Sequence, residues 1–339
     1  MYGKLKRYLS GNGAVVCAVL DGTEMCREME KIHKTSAVCT AALGRLSMGA
    51  SLLGYALKNP GDTLTLRVDG GGPCGVLLAV ADYHGNVKSY VDQPLVELPL
   101  NEKGKLDVGG AVGRDGTIYV IKDIGMREPY SGQTALVSGE IAEDITQYLM
   151  ESEQIASACG LGVLVDPDLA VSCAGGYLIQ LLPFADEESI SKLEKNLADV
   201  TSVTELFGSG MTPDDIAQKL MAGLDPELLD ESEPAYACDC SRERTEKMLR
   251  SLDAKALRDM ADEMPDIEVC CHFCNKNTIS RRKKSAQWRM QKNRNNKTVC
   301  GQRTGIGVLC RLILYIIKIK KYIFYREKRL TNRRNCVII

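Results

Sequence analysis

A chain of 339 residues, 45% hydrophobic and 26% charged, has room for more than one folded domain, and its composition excludes wholesale disorder. The net charge of −1 conceals a division: residues 277–339 hold 18 Lys/Arg against the single acid Glu327, which leaves 25 basic and 43 acidic residues, a net of −18, in residues 1–276. Fourteen cysteines follow a start, MYGKLKRYLSGNG, with no apolar stretch and no small-residue cleavage site, so a cytoplasmic chain with metal or redox thiol chemistry is expected rather than a disulfide-stapled secreted one.

In chain order, residues 15–20 form an apolar run before the turn pair Asp21-Gly22 and read as a buried strand. Residues 40–57, rich in Ala and Leu and apolar on most faces, read as a buried helix ended by Asn59-Pro60-Gly61. In residues 63–68, Leu64, Leu66 and Val68 alternate with Thr and Arg, the pattern of a half-buried strand; residues 76–81, 87–91 and 117–122 look alike. Gly70-Gly71-Gly72-Pro73-Cys74-Gly75 satisfies G-x-G-x-x-G, but a strand follows it where a dinucleotide site needs a helix, so it reads as a hairpin loop. Ser138-Gly139-Glu140 opens a helix over 141–150, and strands are expected near 162–165 and 177–182. The fold class that follows is α+β: a core domain over 1–185 with a largely antiparallel sheet packed by helices.

Residues 186–233 change character, with 13 acids against Lys192, Lys195 and Lys219. Ile190, Leu193 and Leu197 stand at helical spacing behind an acidic first turn, and Thr212-Pro213-Asp214-Asp215 carries an N-cap, a first-turn proline and a capping acid, with Gly223 as a stop. Such short helices are marginal alone and must lean on a neighbour. The segment reads as an acidic helical linker, either a solvated connector or one built to melt.

Cys238-Asp-Cys240 and Cys271-His-Phe-Cys274 then form two close pairs. Four thiolates brought together suit one tetrahedral zinc ion, and a module over 234–276, with short helices over 242–252 and 254–264, is too small to fold on its own core without metal. Cys271 is preferred to its neighbour Cys270 because it keeps the two-residue gap, and a closed four-sulfur site leaves no vacancy for His272. Within each pair the sulfurs can also join as disulfides, which would remove every ligand; the cluster can therefore be a switch. Cys17, Cys26, Cys39, Cys74, Cys159 and Cys173 are scattered and read as small core residues, and His33 and His84 as satisfied or surface side chains.

The composition breaks just after Cys274. Lys276-Asn277-Thr278-Ile279-Ser280 can be encoded AAA AAT ACC ATT TCx, and one extra adenine turns this into Lys-Lys-Tyr-His-Phe. The expectation is that residues from about 277 to 339 are an out-of-frame, disordered basic tail. The alternative is a zinc-dependent nucleic-acid binder using that tail with Trp288. A thiol–disulfide oxidoreductase using Cys271 and Cys274 lacks the βαβ context such a pair requires.

With these residues in view, the chain resembles the redox-regulated 33 kDa chaperonin family over residues 1 to about 276. The resemblance rests on the cysteine pairs, Val68-Asp-Gly-Gly-Gly-Pro73, Lys122-Asp-Ile-Gly125, Pro129-Tyr-Ser-Gly132, Ser138-Gly-Glu-Ile-Ala-Glu-Asp144, Ala174-Gly-Gly-Tyr177 and Gln180-Leu-Leu-Pro183. It implies a non-enzymatic, ATP-independent holdase that binds unfolding client proteins under oxidative stress and has neither nucleic-acid nor membrane partners. One zinc per reduced chain would sit on Cys238, Cys240, Cys271 and Cys274. Oxidation would form disulfides within the two pairs, release zinc, unfold the zinc domain and linker, and favour a homodimer. The family's Tyr-x-Phe after the last cysteine is missing here, as the frame slip would require.

Overall fold

Residues 15–20 are apolar at every position because the strand they build, β2 (Val15–Asp21), is covered on both faces. Ala18 and Leu20 point into one buried cluster, and Val15, Cys17 and Val19 into another. A computed structural model describes residues 2–200, 202–251, 266–281 and 337–338. It divides into two units, Met1–Ala237 and Cys238–Ile339.

The first unit is α+β and contains two five-stranded antiparallel sheets. One has the order β10-β1-β2-β9-β8, with β1 (Lys4–Leu9), β8 (Ser157–Val165), β9 (Val171–Leu181) and β10 (Glu227–Ser232) around β2. The other has the order β5-β4-β3-β6-β7, from β3 (Thr63–Asp69), β4 (Leu77–Asp82), β5 (Val87–Val91), β6 (Thr117–Asp123) and β7 (Tyr130–Ala135). The glycine-rich stretch 70–75 is the β3–β4 connection, a hairpin loop as its sequence indicates.

Helix α1 (Thr23–His33) leads into α2 (Ala37–Gly54), which packs against strands of both sheets. By length and composition α2 could cross a membrane, yet 89% of it is buried inside the protein: it is a core helix. Its apolar character on all sides follows from having a sheet on either side. Gly49 and Gly54 allow the close approach, since a Cβ would lie 2.4 Å from Ile145 Cδ1 in the first case and 2.7 Å from the Ala81 Cβ in the second.

Short α3 (Val108–Val112) and α4 (Ala142–Ser152) complete this core. The turn before α4 depends on fully buried Asp144, whose carboxylate accepts the backbone N–H of Val137 (2.8 Å), Ser138 (3.1 Å) and Ile141 (2.9 Å). That set of bonds holds Ile141 at a φ of 74°, a conformation costly for a β-branched residue.

The acidic segment forms α5 (Glu187–Ala198), α6 (Val203–Gly208) and α7 (Pro213–Leu220), and then strand β10. Its local signals act as read: Asp186 accepts from Ser189 N (2.7 Å), and Thr212 and Asp215 form a reciprocal capping box with Pro213 in the first turn. The three helices lie over the outer face of the first sheet. Leu193, Leu206, Phe207, Ile216 and Leu220 are buried there with Tyr8, Val15, Cys17, Val19, Tyr177 and Ile179. Phe207 fits where Gly175 leaves space; a Cβ at 175 would come within 2.1 Å of its ring. At the rim, Asp214 accepts from Lys6 Nζ and Tyr8 Oη (both 2.7 Å), and these contacts, Lys6 first, lower its pKa.

Past β10, the Tyr236 hydroxyl donates to Ser89 O (2.7 Å), accepts from Ser89 N (3.0 Å) and lies 2.8 Å from His33 Nε2. Val87 brackets the same tyrosine with backbone bonds to Ala235 and Ala237.

The second unit holds α8 (Arg242–Ser251), the antiparallel pair β11 (Asp266–Cys270) and β12 (Asn277–Arg281), and β13 (Val337–Ile338) parallel to β11. Residues 277–281 and 337–338, expected within a disordered tail, are instead strands because β11 offers each of them a hydrogen-bonding edge; the helix expected over 254–264 and the rest of the basic tail lie outside the described residues.

The helical cover should open before the two-sheet core does. Phe207→Ala should lower the opening free energy of residues 187–221 by about 3–5 kcal/mol, the usual cost of truncating a buried Phe. Hydrogen exchange would read this as faster amides in α5–α7, with those of β3 and β6 unchanged; equal acceleration in both regions would refute a separate cover.

Candidate metal centre

Two backbone devices place the four sulfurs. The first pair, Cys238 and Cys240, stands in chain without regular structure just ahead of α8, whose start is fixed by Ser241: its hydroxyl accepts Arg244 N (3.1 Å) and its carbonyl accepts Thr245 N (3.0 Å). Asp239, between the two cysteines, pairs with Arg244. The second pair occupies the β11–β12 turn. Asn275 N donates to Cys271 O (2.8 Å) and Cys271 N to Lys276 O (3.1 Å), folding Cys271 and Cys274 to one side. The turn requires a φ of 55° at Asn275, a left-handed conformation that asparagine tolerates better than most residues.

The sulfurs of Cys238, Cys240, Cys271 and Cys274 all lie within 4.8 Å of one another, and all four residues are half-buried. Cys238 and Cys271 are 3.7 Å apart, and Cys240 and Cys274 3.3 Å. A zinc–thiolate bond of about 2.3 Å puts tetrahedral sulfurs roughly 3.8 Å apart, so the donor set fits such an ion in kind, number and spacing. Among the described residues no other group of His, Cys, Asp and Glu converges in this way. Cys270 belongs to β11 and Cys271 to the turn, and it is Cys271 that joins the cluster; His272 does not.

Crowded thiols titrate against one another. The hydrogen bond from Cys238 holds the Cys271 thiol well below its ordinary value, against the effect of burial. The same contact, then burial, pushes Cys238 far up, while burial first and Cys274 next push Cys240 up to about 11. Without metal, the site is a thiolate held by protonated neighbours.

The other thiols read as core residues divide. Cys17, Cys26, Cys39 and Cys74 are buried, Cys159 and Cys173 partly so. Cys39 and Cys74, 35 positions apart, place their sulfurs 3.1 Å from each other, a juxtaposition that no local sequence signal marks. The basic tail on which nucleic-acid binding would depend lies, apart from residues 277–281 and 337–338, outside the described residues.

A family model described as Hsp33 protein matches residues 3–279. The 33 kDa chaperonin of Lachnoclostridium phytofermentans is 47% identical over 271 residues, covering 80% of this chain and 92% of that protein. The 33 kDa chaperonin of Clostridioides difficile is 45% identical over 270 residues, with the same coverage of each. Among solved structures, the crystal structure of the 33 kDa chaperonin from Thermotoga maritima is similar with a TM-score of 0.79 at 34% identity, over 87% of this chain and 100% of that one.

Metal uptake should be proton-coupled. Cys238 and Cys240 are protonated at neutral pH in the metal-free site, so loading must displace at least their two protons. Affinity therefore weakens as pH falls, by about two log units or more per pH unit near neutrality. Calorimetric titration with zinc chloride in buffers of different ionisation enthalpy counts the protons; a count below two would contradict this electrostatic picture.

Proposed function

The chain belongs to the Hsp33 family of chaperones, and on that premise we propose that it is an ATP-independent holdase switched on by oxidation of its four clustered cysteines. The observation that carries this reading is the convergence of Cys238, Cys240, Cys271 and Cys274 within 4.8 Å, in a small unit of its own. Bound zinc, one ion per chain, would supply four metal–sulfur bonds and folding energy on the order of 10–16 kcal/mol to that unit. In the reducing cytoplasm the four thiolates stay ligated and the chaperone is idle.

Oxidation proceeds through the cysteines themselves. A thiolate attacks hydrogen peroxide to give a sulfenic acid and water, and the neighbouring thiol displaces a second water to close the disulfide. Cys238 with Cys240 and Cys271 with Cys274 are the pairs the chain spacing favours. Two such events consume all four donors, and the unit loses its metal-dependent stability.

The acidic segment 186–233 is the second moving part, between a core domain over 1–185 and a zinc module over 234–276. When α5, α6 and α7 leave the first sheet, Tyr8, Val15, Val19, Tyr177 and Ile179 become an apolar face, and Leu193, Phe207 and Ile216 another. Exposed surfaces of this kind bind non-native chains. Thirteen acids in the linker keep the complex soluble, and the uncovered faces favour a homodimer. Nothing in this scheme requires catalysis, nucleic acid or a membrane.

We also propose that residues from about 277 onward are out of frame. The family match stops at 279, and the two relatives named above align over only 270 or 271 residues. Resequencing the gene across the Lys276 codon tests this; an uninterrupted frame without an adenine run would exclude it.

The switch has a direct test. Peroxide with mild heat should release one zinc per chain and, together with it, suppress light scattering by an unfolding client, whereas the reduced zinc-loaded protein should do neither. Cys271→Ser should weaken zinc retention and change the oxidant dose needed. Equal protection by metal-free, fully reduced protein would reject the switch.

A further inference from the structure

Outside the zinc-type cluster, one other pair of thiols converges among the described residues. Cys39 lies in the first turn of α2, three residues past its N-cap Ser36, and Cys74 lies in the β3–β4 loop. Both are fully buried, and their sulfurs are 3.1 Å apart. We propose that Cys39 and Cys74 are a second dithiol–disulfide couple, one that staples the start of α2 to the β3–β4 loop when the protein meets peroxide.

The geometry is held from both sides. Cys74 N donates to Ala111 O and Gln93 N to Cys74 O, each at 3.0 Å. Gly72, two residues earlier, sits so close to Val112 that a Cβ would come within 2.4 Å of that residue's carbonyl carbon. The loop therefore cannot swing Cys74 away. Cys39 is fixed by a long core helix, and its sulfur lies 3.4 Å from Gln93 O. Reaching a disulfide bond length of about 2.05 Å needs only about 1 Å of approach.

The electrostatics separate this pair from the inert core thiols. Burial pushes Cys17, Cys26 and Cys159 up to about 12. Cys39 moves the other way, to about 7, because the Cys74 thiol donates to it and the Ser36 hydroxyl adds to that, against burial. Its place at the start of an 18-residue helix favours the same charge. Cys74, as the donor, is pushed up. One sulfur is thus the attacking thiolate and the other the resolving thiol.

The covering segment gives access. Ser36 is bonded to Pro94 O (2.9 Å) and Val96 O (2.6 Å), and residues 95–100 have no regular structure, with Leu95 74% exposed. Local opening there admits a small neutral oxidant such as hydrogen peroxide and excludes bulky disulfides. The Cys39 thiolate takes one oxygen from peroxide, becoming a sulfenic acid and releasing water after protonation. Cys74 then attacks that sulfur, the S–S bond forms and a second water leaves. Two thiols and one peroxide give one disulfide and two waters.

The staple does what the switch needs from the body. Oxidation that frees the helical cover also removes support from the first sheet, and a covalent tie at the α2 start keeps the helix shared by both sheets in place.

The test uses the full zinc-loaded chain. After peroxide, alkylation in denaturant and trypsin, residues 35–45 and 68–88 should appear as one bridged species, two hydrogens lighter than their sum and separable by reductant. Cys39→Ser and, independently, Cys74→Ala should abolish that species and leave zinc release intact. Each should lower the thermal midpoint of the oxidised protein by several degrees relative to oxidised wild type, with the reduced proteins alike. Two results overturn the proposal: both thiols still alkylatable once the zinc-site thiols are oxidised, or a bridge that forms only when the chain is unfolded before exposure.

Discussion

The outer face of the first sheet has to be covered, and an acidic chain segment of marginal helices is what covers it. β2 sends alternate residues to two apolar clusters, so neither face of that strand can meet water without cost. The inner face rests on α2, which is itself enclosed. The outer face rests on α5, α6 and α7, helices of 12, 6 and 8 residues. Helices of this length are not stable in water alone. Sheet and cover stabilise each other, and the cover is the weaker partner because it has no core of its own.

That asymmetry makes separate opening physically reasonable. Loss of α5–α7 leaves the cluster around α2 and the second sheet intact, since none of its buried members comes from α5, α6 or α7. The capping box of α7 and the rim ion pairs resist loss only moderately, being partly exposed and screened. After β10 the chain is pinned again where Tyr236 bonds both backbone groups of Ser89. The segment able to peel away is therefore bounded on its C-terminal side by a strand and a buried tyrosine, and Cys238 follows two residues later in the chain. The cysteine cluster and the helical cover are thus consecutive in sequence.

Much of this was legible from residue patterns. The unbroken apolar run at 15–20 signals a strand buried on both faces, the alternation at 63–68 a strand in a sheet, and Thr212-Pro213-Asp214-Asp215 the start of α7. The four converging cysteines were visible from paired spacing alone. Other features were not. The partition of the strands into two sheets depends on non-local pairing, which no window of sequence encodes. β10 is an edge strand whose Leu228 and Leu229 stand half exposed, so it lacks the alternation of a strand with one dry face. The Cys39–Cys74 contact is likewise a product of topology: a hairpin loop closes over the first turn of a helix thirty-five positions earlier.

The thiols also show how a buried cysteine is kept inert. Burial alone raises a thiol's pKa and silences it, as at Cys17, Cys26 and Cys159. A second sulfur reverses the sign for one member of a pair, because a thiol that donates a hydrogen bond stabilises the thiolate that accepts it. Cys271 is lowered by Cys238 and Cys39 by Cys74, in different folds and at different depths. The direction of the thiol pKa shifts therefore follows sulfur–sulfur proximity more closely than exposure. The half-buried cluster and the fully buried pair share this arrangement, in which one thiol of each contact is lowered at the other's expense.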